Sequence, residues 1–180
     1  MFGKVSRIVV GVSLLATLAA CTKTDSSGTL DATQNASGTP AVIQGACPQI
    51  YLREGTSVHR TYAKGGKDDP AKVTYQASLA DATRQCVLSG DQLVITAAVQ
   101  GRVLAGPAGG PGTQTLPIRI AVVDGDNTLY SQLFKHQVEL TPGNTTTQFV
   151  FSRNDVAIPG GSGSDARIYI GFDEGPYDTK

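Results

Sequence analysis

From Cys47 onward, apolar residues recur at every second position in short runs, and each run stops at a cluster of Gly, Pro, Asn or Asp. A period of two puts alternate side chains on opposite faces of an extended chain. Val73, Tyr75, Ala77 and Leu79 share a face in the run 72–79, and Leu93, Ile95, Ala97, Val99 and Val103 share one in 92–104. Leu116, Ile118, Ile120 and Val122 point one way in 116–123, with Arg119 outward. In 128–140, Phe134, His136, Val138 and Leu140 oppose Lys135, Gln137 and Glu139. Leu129 and Leu133 fall on the other parity, which predicts a bulge near Leu133. Thr147, Phe149 and Phe151 pattern 145–152, and Ile168, Ile170 and Phe172 pattern 167–172. A further short strand is expected at 49–53 or at 58–62. No long window repeats apolar residues at i, i+3, i+4 and i+7, so helices are not the main element.

About seven strands over residues 47–180 suit an all-β domain. Half-buried alternation favours antiparallel pairing, because strands of parallel sheets are apolar on both faces. The expected architecture is an antiparallel β-sandwich resembling immunoglobulin-like or fibronectin-III-like domains in strand pattern, with a small antiparallel β-barrel as the alternative. The chain contains no Trp, the residue that antibody domains pack on their disulfide.

Residues 1–20 have a different character. Lys4 and Arg7 precede an uncharged stretch, 8–20, whose 13 residues reach about 20 Å as a helix, short of a bilayer core. This is the pattern of a cleaved secretory signal. Leu18-Ala19-Ala20-Cys21 resembles the lipobox of bacterial lipoproteins. That resemblance implies cleavage before Cys21, a diacylglyceryl group on its sulfur and acylation of its amine. Thr22, where an Asp favours inner-membrane retention in enteric bacteria, implies an outer-membrane address, and the body is expected to face the periplasm. Two or three acyl chains anchor durably where one does not.

Residues 21–46 are expected to form a lipidated flexible linker. They are rich in Ser, Thr, Gly and Ala, lack aromatics, and show no sustained period. The alternative is that Ala41-Val42-Ile43 forms a first edge strand.

With Cys21 lipidated, Cys47 and Cys86 are left as a pair, and an oxidising compartment favours a disulfide between them that pins the first strand. His59 is expected at the surface and His136 in the core or at an edge. Neither stands in a zinc-binding or nucleophile-elbow motif. Gly106-Pro107-Ala108-Gly109-Gly110-Pro111-Gly112 lacks the Lys-Ser/Thr of a phosphate loop, and its prolines remove donors. It is expected to be a long inter-strand loop and the first candidate contact surface, together with Arg102 just before it. The acidic clusters at Asp124-Gly-Asp126 and Asp173-Glu174 are expected to be a hairpin turn and a solvated tail. No metal site or cofactor is expected.

Lys+Arg 15 against Asp+Glu 15 gives a formal charge of +0, which disfavours nucleic-acid binding. The functional expectation is a non-enzymatic envelope lipoprotein making protein–protein contacts in envelope assembly or maintenance. The first alternative is a lipoprotein that binds a small molecule or glycan through the loops 106–112 and 160–165, and the second is an enzyme.

Overall fold

A computed structural model describes residues 47–175. The signal, the linker, Cys21 and the alternative strand at 41–43 lie outside the described residues.

Alternation produces strands wherever it was legible. β1 is Gln49–Leu52, β2 Val58–Tyr62, β3 Val73–Ser89, β4 Gln92–Ala105, β5 Gly112–Asp124, β6 Asn127–Leu140, β7 Thr146–Pro159 and β8 Arg167–Phe172. A 3-10 turn, Pro70–Lys72, leads into β3, and the side chain of the capping Asp69 accepts the Ala71 N–H at 3.0 Å.

The strands form two open four-stranded sheets, ordered β1-β8-β5-β6 and β2-β3-β4-β7. This is a β-sandwich, and the open edges rule out the barrel alternative. The facing triplets β3-β4-β7 and β8-β5-β6 repeat the order of strands A-B-E and F-C-C′ in an immunoglobulin-like sandwich. The place beside β8, where such a domain puts its last strand, is taken by β1. That pair is parallel, with Ile50 opposite Ile168 and Leu52 opposite Ile170, whereas every other pair is antiparallel.

Three expectations change. Both short candidates, 49–53 and 58–62, are strands, which makes eight. β3 continues past Leu79 to Ser89, because a bulge between Leu79 and Asp81 reverses the parity and hides the alternation. The bulge in β6 sits at Leu129, where Val122 pairs with Tyr130 and Val123 with Thr128, so Leu133 keeps its ladder place opposite Arg119.

The inward faces form one apolar core. Leu93, Ile95, Ile118, Ile120, Ile168 and Ile170 are fully buried, and no polar residue is buried among the described residues. Pro117 stands in a central strand. Its carbonyl accepts the Asp173 N–H at 2.9 Å just past the end of β8, so the proline forgoes only the reciprocal bond at the ladder's end.

Candidate functional site

The Gly-rich connection 106–111 carries the chain from β4 in one sheet to β5 in the other, and it is folded down onto β3. Gly106 N–H donates to Thr74 O at 2.8 Å, Ala108 N–H to Val73 O at 3.0 Å, and the Tyr75 hydroxyl to Gly110 O at 3.0 Å. A Cβ on Gly106 would lie 2.2 Å from Val73 O, and one on Gly109 would lie 1.9 Å from Thr74 O. These two glycines therefore permit backbone to lie against backbone.

Gly106 and Pro107 line an open groove of about 580 Å³ with Arg60, Tyr62, Asp68 and Gln76. Arg60 Nε donates to Gln76 Oε1 at 2.7 Å. Arg102 lines a different groove of about 600 Å³ with Gln100, Gln148 and Val150. Gly109 and Gly110 pack on Thr74 and Tyr75, and Gly112 is already the first residue of β5. The loop residues and Arg102 thus divide between two surfaces. The loops 106–112 and 160–165 do not meet either. Gln92 at the start of β4 pairs with Pro159, whereas Ala105 ends that strand, so the loops are set roughly 40 Å apart along it.

The outer face of the other sheet holds a second constellation. Tyr51, Tyr169, Ala121 and Ser131 fall in one row across β1, β8, β5 and β6. The Tyr51 and Tyr169 rings stand 6.0 Å apart, and Tyr51 is 44% exposed. On one side lies a groove of about 660 Å³ lined by Arg53, Glu54, Arg119, Ser131, Tyr169 and Asp173. On the other, a smaller one of about 240 Å³ is lined by Gln49, Tyr51, Ser164, Asp165 and Arg167.

Arg119 organises the larger groove. Its Nε bonds the Asp173 carboxylate and its Nη1 donates to Ser131 Oγ at 3.0 Å. Burial pushes the Asp173 carboxyl up, but the Arg119 bond and the Gly175 N–H outweigh it and hold the group below its ordinary value.

Asp173 and Glu174, expected in a solvated tail, are thus both engaged. Glu174 Oε1 lies 2.7 Å from His59 Nδ1. His59, expected at the surface, keeps only 12% of its side chain exposed and packs on Phe172 with ring centroids 5.6 Å apart. His136 lies against Phe149 and Phe151 at 5.4 and 5.5 Å, and burial holds its imidazole below the ordinary value. Among the described residues no hydroxyl or thiol hydrogen-bonds either histidine, and no three His, Cys, Asp or Glu side chains gather as a metal site. Asp124 ends β5 and Asp126 lies in the β5–β6 hairpin turn.

No family model matches the chain, and no curated protein or solved structure matches it. The Tyr51–Tyr169 pair was not among the residues singled out in the sequence. Each tyrosine sits in a short apolar-alternating run, but only the parallel register of β1 on β8 brings them together.

Proposed function

We propose that the chain is a lipid-anchored, non-enzymatic binding module of the bacterial cell envelope. Cys21 carries the lipid, the outer membrane is the anchor site, and the β-sandwich faces the periplasm to contact a protein partner in envelope assembly or maintenance. The observation that supports this most is the Tyr51–Tyr169 pair between two open grooves ringed by Arg53, Arg119 and Arg167. Tyrosine and arginine are the side chains that most often dominate protein interfaces. Basic and acidic groups alternate around the pair, which suits a mixed polar rim.

A photoreactive amino acid in place of Tyr51 tests the contact in living cells. One discrete protein adduct is expected, lost with Tyr169→Ala and absent when the probe replaces the exposed Thr83 on the opposite sheet. The same adducts from both positions would contradict the reading.

A second reading rests on the other sheet. The groove of Arg60, Tyr62, Asp68 and Gln76, walled by Gly106 and Pro107, offers donors, acceptors and a ring to a small molecule or glycan. A true ligand at 100 times its Kd adds about 2.7 kcal/mol of stability, so a thermal-shift screen against neutral oligosaccharides tests it. A flat screen removes its support.

A further inference from the structure

Among the described residues, each sheet ends on strands whose outer backbone groups have no strand beside them, and such edges are templates for pairing unless something guards them. Three of the four edges are guarded. β1 has four residues; β2 has five and carries Arg60; β6 carries Lys135 and Glu139. The second half of β7 is guarded as well. Its register shifts opposite Thr96, between the partners of Ile95 and Ala97, and Arg153 pairs with Asp155 at that irregularity. The first half is different. Residues 145–152 read Thr-Thr-Thr-Gln-Phe-Val-Phe-Ser, with no charge and no proline. Val150 is 67% exposed there. An uncharged run of β-branched and aromatic residues on an open edge is the composition that pairs between chains.

We propose that the β7 edges of two copies of this chain pair antiparallel about a two-fold axis at Phe149, joining two four-stranded sheets into one of eight. The faces allow only registers that differ by two residues, and the one centred on Phe149 sets the whole uncharged run 146–152 against itself. Outward side chains must stay outward across the junction, because a slip of one residue would turn every one of them to the other face. Thr146 then stands opposite Ser152 of the second copy, Gln148 opposite Val150, and Phe149 opposite itself. Only uncharged residues face one another, and Arg153 and Asp155 fall beyond the paired stretch. A second copy is the fitting occupant because a two-fold contact requires a self-complementary strand, and this run pairs with its own reverse without setting like charges together.

Disulfide trapping tests this on the full chain in detergent. Chains carrying Gln148→Cys are mixed with chains carrying Val150→Cys and oxidised with copper phenanthroline. The mixed dimer is expected about tenfold faster than a mixture in which Thr83→Cys replaces Val150→Cys. Two cysteines two positions apart on one strand are too far apart to bridge within a chain, so a single chain carrying both substitutions must also link between copies. Adding Thr146→Lys and Ser152→Lys, which sets lysines opposite each other on the exposed face, is expected to abolish trapping while the far-UV circular dichroism spectrum stays unchanged. Equal trapping from position 83, or a mixed dimer that survives the lysines, overturns the proposal.

Discussion

Cys47 and Cys86 are joined by a disulfide with Cα atoms 5.5 Å apart, which ties the residue two before β1 of one sheet to β3 of the other. Cys47 precedes β1, and Cys86 is buried in β3. The bond fixes the point where the preceding chain enters the sandwich, beside an Arg84 Nε that donates to Pro48 O at 2.9 Å. It also holds in place the strand that brings Tyr51 to Tyr169.

Cys47→Ser should therefore lower stability while sparing the proposed membrane attachment. The closed loop spans a sequence separation of 39, for which chain entropy gives about 4 kcal/mol, or on the order of 10 °C in unfolding temperature. A change of only a degree or two would show that β1 is held without the bond.

Two neighbouring glycines should respond differently to the same substitution. Gly109→Ala drives a Cβ onto Thr74 O and should cost about 1–3 kcal/mol, whereas nothing lies within 4 Å of a Cβ at Gly110. Gly110→Ala should stay within about 0.5 kcal/mol by chemical denaturation. Equal effects would mean that the connection is not seated on β3.

Acidification should weaken the fold through His136. Burial depresses its folded value below the unfolded one, so its contribution is present above the unfolded value of about 6.5 and is lost as pH falls through the folded value. His136→Leu should reduce the fall in unfolding temperature between pH 7 and pH 5, whatever its effect on absolute stability. An unchanged slope would contradict the burial argument.

Asp173 works in a more acidic window. Its folded value is depressed, so its contribution is present above about 3.9 and is lost as pH falls through the folded value. Asp173→Asn should flatten the acid limb of a stability profile below pH 4 and leave Arg119 with only Ser131. An identical acid limb would argue against the Arg119–Asp173 bond.

The fold was legible where one hydrophobic parity persisted, as in Leu93–Val99 of β4 and Leu116–Val122 of β5. It was illegible where a bulge changed the parity. Leu79 and Cys86 both face the core but sit on odd and even positions of β3, and Phe151 and Val156 do the same in β7. Local pattern cannot reveal such a switch, because only the partner strand shows where the extra residue goes. The candidate site was less legible still. Glycines at 106 and 109 marked a special backbone but not its cause, which is the approach of Val73 and Thr74. The Tyr51–Tyr169 and His59–Glu174 contacts join residues more than a hundred positions apart, beyond the reach of motif or period.

The proposed function depends first on the proposed lipid anchor, which would set an oxidising compartment and present the tyrosine face to a partner. The most direct measurement is mass spectrometry of the N-terminal tryptic peptide from membranes. The account predicts a peptide beginning at Cys21 and ending at Lys23 that carries a diacylglyceryl group and an N-acyl chain, and a soluble or uncleaved product from Cys21→Ser. A Cys21 thiol free to react with iodoacetamide, or a Cys21→Ser chain that is cleaved and partitions with membranes as the unaltered chain does, would contradict it.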